Sequence, residues 1–261
     1  IREQLKDPSA KFEFPVEYMF KQVPKELYGS TNDPVKLTLN EMDRYSIEIG
    51  LVGVGGEVSR KALKEHPDRF VAQGSVDPNM GMEGIREMVR QYEEFGVFSF
   101  GAFNAGYNPQ VGIADPLMYP IYAKCVELGT PIFSCAGVPG PRFPMWPQKV
   151  EWIDQVMYDF PELVFVTRHG CEPWEELAVK LMLKWPNLYY STTAFAPKFY
   201  PQAIIDYANS RGAEKVIYGG YFPMGLSLER IMTDMQALPL KDDVWPKFLR
   251  DNARKVLGLD G

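Results

Sequence analysis

Short apolar runs alternate with longer amphipathic segments along most of the chain. Seven of the runs are rich in β-branched and aromatic residues and are bounded by turn-forming residues. They begin at Ile47, Arg69, Val97, Pro131, Leu163, Leu188 and Lys215. Between them, apolar positions recur at helical spacing in segments that begin at residues such as Asp33 or end at Gly96, Gly129 and Pro186. This alternation predicts repeated strand–helix units and hence a parallel β-sheet.

The chain length favours one closed architecture for these units. A (β/α)8 TIM barrel needs about 250 residues, and the chain has 261. Because only seven strands are predicted, we expect an α/β fold of this kind that lacks its first strand or is truncated there. We prefer the interpretation that the first strand lies upstream of Ile1 to the alternative that the barrel closes in a different way. We expect a single domain over residues 1–261, with an irregular segment over 1–32 and a C-terminal helix over 243–259.

Composition narrows the class of partner. The hydrophobic fraction of 46% supports a sizeable core, whereas the net charge of −6 lacks the basic face that nucleic acid or an anionic membrane requires. No apolar run is long enough to span a bilayer, and the three cysteines show neither disulfide nor zinc-ligand spacing. These features predict a cytoplasmic protein without nucleic-acid or membrane partners.

Several long segments carry a resemblance to one family. They are "FVTRHGCEPWEELAVKLMLKWPNLYYSTTAF", "GAEKVIYGGYFPMGLSLERI" and "FLRDNARKVLGL", with "HPDRFVAQGSVDPN" upstream. These segments resemble the amidohydrolase-related proteins, the branch of the amidohydrolase superfamily that includes metal-dependent decarboxylases of aromatic and unsaturated acids, hydrolases and hydratases. The resemblance implies a TIM barrel, a hydrolase or carboxy-lyase activity, and a homo- or hetero-oligomer.

The resemblance also implies a metal site, at which this chain carries other residues. Only His169 matches, at the sixth-strand histidine. Cys135 stands at the position of the fifth-strand histidine, Phe98 at that of a lysine and Tyr221 at that of the eighth-strand aspartate. A catalytic zinc takes about three protein ligands. We therefore expect a degenerate metal site with His169 at most, and Cys135 as a further candidate ligand. No cofactor is expected, unless an upstream strand supplies ligands for a divalent metal such as zinc.

The catalytic candidates are His169, as acid or base, and Tyr221, as proton donor or oxyanion stabiliser. Strand alternation predicts that Arg168 faces the helices if His169 faces the pocket. Cys135 has the alternative interpretation of a small buried hydrophobe.

Aromatic residues near the predicted strand ends favour a dry pocket for an apolar or aromatic molecule. Arg142, in a loop stiffened by Pro and Gly, is a candidate to bind a carboxylate or phosphate. The aromatic candidates for substrate binding are Phe98, Phe103, Tyr107, Phe143, Trp146, Trp174 and Phe222.

Three functions are consistent with these observations. The first is an amidohydrolase-like enzyme that acts on a hydrophobic or aromatic carbonyl or carboxylate compound by hydrolysis, decarboxylation or related C–C or hydration chemistry, without a complete metal site. The second is a non-catalytic subunit of the same fold that serves as a binding or scaffold partner, for example with an intact paralogue. The third is an unrelated barrel that binds a small hydrophobic ligand.

Overall fold

Seven parallel strands form one sheet in which each strand pairs with the next in the sequence. The computed structural model describes residues 4–7, 16–19, 33–220, 222 and 225–259. The strands are β1 (Gly50–Gly53), β2 (Phe70–Ser75), β3 (Ser99–Ala102), β4 (Ile132–Cys135), β5 (Phe165–Arg168), β6 (Leu188–Ser191) and β7 (Val216–Ile217). All seven predicted strands are confirmed. The sequential parallel order is that of a TIM barrel, with seven strands in the described residues.

Helices follow the strands and cover one face of the sheet. The α-helices are α1 (Pro34–Arg44), α2 (Glu57–Glu65), α3 (Met82–Phe95), α4 (Tyr119–Leu128), α5 (Trp152–Asp159), α6 (Glu175–Lys184), α7 (Gln202–Ala208), α8 (Leu228–Met235) and α9 (Asn252–Leu257). Their ends follow the sequence signals. The Asp33 carboxylate accepts a hydrogen bond from the Lys36 backbone at 3.2 Å at the start of α1, and Gly96, with φ of 58°, ends α3.

The sheet separates two hydrophobic clusters. The larger lies between the sheet and the helices and contains fully buried Phe100, Phe165 and Tyr190. The smaller lies on the other, inner face and consists of Phe133, Val166, Tyr189 and Ile217 from four neighbouring strands, with Val256 from α9. Since side chains alternate along a strand, residues two positions beyond these also face inward.

The C-terminal helix is anchored on the last strand. A π-helical turn over Lys247–Asp251 leads into α9, which ends at Gly258 with φ of 66°. The buried Asn252 amide donates to the carbonyls of Ala213 and Val216, each at 2.8 Å. The helix predicted over 243–259 is therefore present but is shorter and begins irregularly.

The predicted irregular segment 1–32 lies largely outside the described residues. Its described parts, 4–7 and 16–19, include one 3-10 turn, Glu17–Met19. No described helix combines the length and the apolar character that crossing a bilayer would require.

Candidate functional site

A pocket of about 250 Å³ opens at the carboxyl ends of β1, β2 and β3, the end at which TIM barrels carry their active sites. Polar side chains of Gln73, Ser75 and Arg168 share its wall with the aromatic rings of Phe103 and Tyr107. The remaining lining residues are Gly53, Val54, Gly55, Gly74, Val76 and Gly101. The pocket is therefore small, partly aromatic and supplied with one cationic group.

Arg168 ends β5 and points inward. Its strand partner in register is Cys135, and Val166, two residues earlier, belongs to the inner cluster. The sequence predicted that Arg168 faces the helices if His169 faces the pocket, and the structure places Arg168, not His169, on the pocket side. His169 lies beyond the last residue of β5 and has a φ of 67°, so strand alternation no longer governs its side chain.

The guanidinium of Arg168 is held by three weak contacts. Nη1 lies 3.4 Å from Gln73 Oε1, and Nη2 lies 3.5 Å from the Ala102 carbonyl and 3.4 Å from Cys135 Sγ. Among the described residues, its buried Nε has no hydrogen-bond partner. Because an unpaired buried donor is costly, a ligand that accepts from Nε is favoured in this pocket.

Cys135 is buried, with 2% of its surface exposed. Burial raises the pKa of its thiol, but attraction to Arg168 and His169, together with hydrogen bonds from both, lowers that pKa to about 6. The other two cysteines differ, because burial dominates there and raises the pKa of Cys125 and of Cys171 to about 12. Of the three thiols, Cys135 alone is set to be a thiolate at neutral pH.

His169 is fixed by Thr193. The Thr193 hydroxyl accepts from the His169 backbone N–H at 3.1 Å and lies 3.1 Å from ring atom Nδ1. The hydroxyl can donate to or accept from Nδ1, and in either case its contacts to the backbone and the ring fix the orientation of His169. His169 is not among the described lining residues of the pocket and reaches it through its hydrogen bond to Cys135.

Tyr107 contributes to the pocket wall a second polar group that lacks a hydrogen-bond acceptor, its hydroxyl. Its hydroxyl oxygen is buried beside the Phe103 backbone, and no described residue accepts the hydroxyl proton. Burial, followed by the negative charges of Cys135 and Asp77, raises the pKa of this phenol well above its usual value. Tyr107 therefore remains a neutral hydrogen-bond donor beside Arg168.

The structure brings some of the predicted aromatic residues to the pocket. Phe103 and Tyr107 line it, and the Phe143 ring lies 6.3 Å from that of Phe103. Trp146 is 47% exposed and donates from Nε1 to Gln110 at 3.1 Å. Trp146 thus lies at the surface outside the lining.

Other predicted residues lie elsewhere. Phe98 precedes the first residue of β3, at the opposite end of the strand from the pocket. Trp174 and Phe222 pack on the core between sheet and helices. Tyr221 lies outside the described residues, so its predicted role stays a prediction.

Arg142 is engaged with the N-terminal segment. Its guanidinium forms an ion pair with Asp7 and lies 4.7 Å from the centre of the Tyr18 ring. The Tyr18 hydroxyl in turn donates to the Gly140 carbonyl at 2.5 Å. Binding of a substrate carboxylate by Arg142 stays a prediction, and it would compete with Asp7.

The described residues do not fit a divalent metal ion. They contain no group of three or more His, Cys, Asp or Glu side chains placed to hold one. The two candidate ligands are already engaged, because the Cys135 sulfur receives hydrogen bonds from Arg168 and from the His169 ring. A dication at that sulfur would also meet the guanidinium 3.4 Å away, and like charges repel.

A larger cavity, of about 320 Å³, lies away from this site and is lined by Glu48, Arg250, Asp251 and Arg254. These charges face one another. Arg250 bonds Asp251 at 2.8 Å and Arg254 lies 3.5 Å from Glu48. Its described lining is made of charged residues, none of which has a buried polar atom without a hydrogen-bond partner, so we place the candidate site at the strand ends.

Sequence reasoning did not single out Gln73, Ser75 or Arg168 as site residues. The alternation of side chains between the two faces of a strand was a usable signal for these residues. Arg168 lies two residues after the apolar Val166, and Gln73 lies two residues after Val71. A polar residue at an inward position near a carboxyl end indicates a site.

The sequence pattern of the amidohydrolase family matches residues 57–259. An uncharacterized TIM-barrel protein of Bordetella bronchiseptica, Bb4693, is 26% identical, with a TM-score of 0.78 over 92% of this chain and 86% of that chain. A 2,6-dihydroxybenzoate decarboxylase of Rhizobium is 16% identical, with a TM-score of 0.65 over 92% and 96%.

A 5-carboxyvanillate decarboxylase of Novosphingobium aromaticivorans with bound manganese is also 16% identical, with a TM-score of 0.65 over 91% and 85%. Comparison with curated protein sequences gives no significant match. The chain therefore belongs to the amidohydrolase family.

Proposed function

We propose that the protein is a carboxy-lyase that removes CO2 from a small aromatic acid, and that it does so without a divalent metal. The observation that carries this proposal is the inward guanidinium of Arg168 beside the rings of Phe103 and Tyr107 in one pocket. A guanidinium binds a carboxylate through two parallel hydrogen bonds. The rings suit the flat apolar body of such an acid.

The unsatisfied donors of the pocket agree with this ligand. Arg168 Nε and the Tyr107 hydroxyl are both buried, and no described residue accepts the proton of either. A carboxylate with a neighbouring hydroxyl or carbonyl oxygen would accept from both. Similar structures add support, since one of them is a 2,6-dihydroxybenzoate decarboxylase in complex with 2,6-dihydroxybenzoate.

In the reaction, the bond between the ring carbon and the carboxyl carbon breaks. Its electron pair stays on the ring carbon, which takes up one proton as CO2 leaves. His169 and Cys135 form the hydrogen-bonded pair that holds exchangeable protons behind Arg168. We assign the acid role to His169, oriented by Thr193; because His169 does not line the pocket, its proton would reach the ring carbon by way of the hydrogen-bonded Cys135. Tyr221 is retained as a second candidate donor.

The test uses 2,6-dihydroxybenzoate and 5-carboxyvanillate as substrates, with CO2 release measured in the presence of EDTA. We expect release in EDTA, a loss of about 100-fold in kcat/KM for Arg168→Met, and partial retention for Arg168→Lys, which keeps the charge but not the two-pronged geometry. Hydrolysis of an aromatic ester or lactone without CO2 release would instead make the protein a hydrolase. Activity that EDTA abolishes and manganese restores would overturn the metal-free part.

A further inference from the structure

Gln73 is a pocket-lining glutamine that contacts both a neighbouring strand and Arg168. Its Oε1 lies 3.4 Å from Nη1 of Arg168. Because a guanidinium only donates hydrogen bonds, the amide must turn its oxygen to Arg168. The other end of the amide, Nε2, donates to the hydroxyl of fully buried Ser99 at 3.0 Å, and the two residues are partners in register on β2 and β3. The orientation of the amide is therefore fixed from both ends.

The amide also depends on a residue without a side chain. Gly101 lines the same pocket and pairs in register with Ser75, two residues after Gln73. A Cβ at Gly101 would lie 3.0 Å from Oε1 and 3.3 Å from Cδ of Gln73. Two residues of β3 thus set the place of this amide, Ser99 through a hydrogen bond and Gly101 by leaving the space.

The contacts of Arg168 divide its guanidinium unevenly. Nη1 meets the Gln73 amide, whereas Nη2 meets the Ala102 carbonyl and Cys135. Nε has no acceptor among the described residues. Loss of the contact at Nη1 would leave the long side chain freer to rotate, and Nε would no longer be held toward a ligand.

We propose that Gln73 is a positioning residue, whose neutral amide holds Nη1 of Arg168 so that the unpaired Nε–H is presented to the carboxylate of the aromatic acid. This inference rests on the proposed function, because it takes such an acid as the ligand. The absence of charge on the amide is part of its role. A carboxylate at position 73 would form an ion pair with Arg168 and compete with the ligand for the guanidinium.

The experiment is calorimetric titration of the whole protein with benzoate and with benzyl alcohol, which has the same ring but no charge. Gln73→Met has a side chain of similar length that cannot accept from Nη1. We expect it to lower the affinity for benzoate about tenfold and that for benzyl alcohol by no more than about twofold. A purely structural role of Gln73 would lower both affinities alike.

Two further variants separate positioning from packing. Gln73→Glu keeps the size of the side chain and the acceptor but adds a charge, and it should weaken benzoate binding more than Gln73→Met does. Ser99→Ala releases the other end of the amide and should weaken benzoate binding about threefold. The matched control is Gln110→Met, which removes a glutamine of the loop after β3 that bonds the Ala105 and Pro144 carbonyls, and it should bind both ligands as the wild type does.

Three results overturn the inference: equal losses for the two ligands in Gln73→Met, wild-type benzoate affinity in Gln73→Glu, or no binding of benzoate to the wild type. The proposed reaction is tested separately through CO2 release. A selective loss of benzoate binding in a protein that releases no CO2 refutes the proposed reaction alone. Release of CO2 by a protein whose benzoate affinity is unchanged in Gln73→Met refutes this inference alone.

Discussion

Cys135 and Arg168 are paired in register on neighbouring strands, with 3.4 Å between Sγ and Nη2. Both belong to strands rather than to loops, so the charge of the site is fixed by the sheet itself. A site built this way changes little in geometry when loops differ, because the strand ladder sets the separation of its two charges.

Thr193 should control the orientation of His169. Replacement by Val removes the hydroxyl that bonds both the backbone and the ring of His169, each at 3.1 Å. We expect kcat for aromatic acids to fall about tenfold, with a stability loss of about 1 kcal/mol. Thr193→Ser retains the hydroxyl and should restore most of the rate. Equal rates for the two variants would contradict an orienting role.

Gly137 should be intolerant of a side chain. It has a φ of 96°, and an added Cβ would lie 2.7 Å from the backbone of Cys171 and of Glu172. We expect Gly137→Ala to lower the free energy of unfolding by about 3 kcal/mol or more, from strain and overlap together. Chemical denaturation measures this.

The matched control for that change is Gly129, which ends α4 with a φ of 65° and has open space around the added atom. Gly129→Ala should lower stability by only about 1 kcal/mol, from backbone strain alone. Similar losses at the two positions would show that the close approach of the loops after β4 and β5 is not rigid.

Two buried tyrosines should respond differently to loss of the hydroxyl. Tyr190 donates to the Gly170 carbonyl at 3.0 Å, whereas the Tyr218 hydroxyl is buried without a partner among the described residues. Tyr190→Phe should reduce the free energy of unfolding by about 1 kcal/mol, and Tyr218→Phe should be neutral or stabilising. Denaturation midpoints compare them directly. A larger loss at Tyr218 would indicate a bound water or ligand at its hydroxyl.

Arg142 should hold the N-terminal segment rather than the substrate. Arg142→Gln breaks the ion pair to Asp7 and the stacking on Tyr18. We expect faster proteolysis at residues 4–7 and 16–19 and an unchanged benzoate affinity, since Arg168 is the proposed acid-binding group. Asp7→Asn is the matched variant and should increase proteolysis in the same way. A selective loss of benzoate binding in Arg142→Gln would restore the substrate role that the sequence suggested.

Most of the fold was predictable because its signals are local. Apolar runs located all seven strands, and Gly96 and Gly129 marked helix ends through their left-handed backbone. The site was less predictable because part of it lies just beyond the strand ends, where side chains no longer alternate between the two faces of the sheet. At His169 the backbone turns to a positive φ, so the side on which its side chain lies does not follow from alternation along β5.

The end of the strand at which a residue lies also affected the prediction of the aromatic residues that line the pocket. Phe98 and Phe103 bracket β3, and only Phe103, after its carboxyl end, lines the pocket. The composition of a strand does not by itself say which end of it is functional; the barrel geometry does.

The placement of Val256 in the inner cluster bears on how the protein is made. That cluster joins side chains of four strands to a helix that follows all seven described strands in the sequence. During synthesis the inner face of the sheet therefore stays partly exposed until α9 has left the ribosome. Contacts of such long sequence separation form late, and nascent chains that stall before α9 should be the ones that chaperones retain.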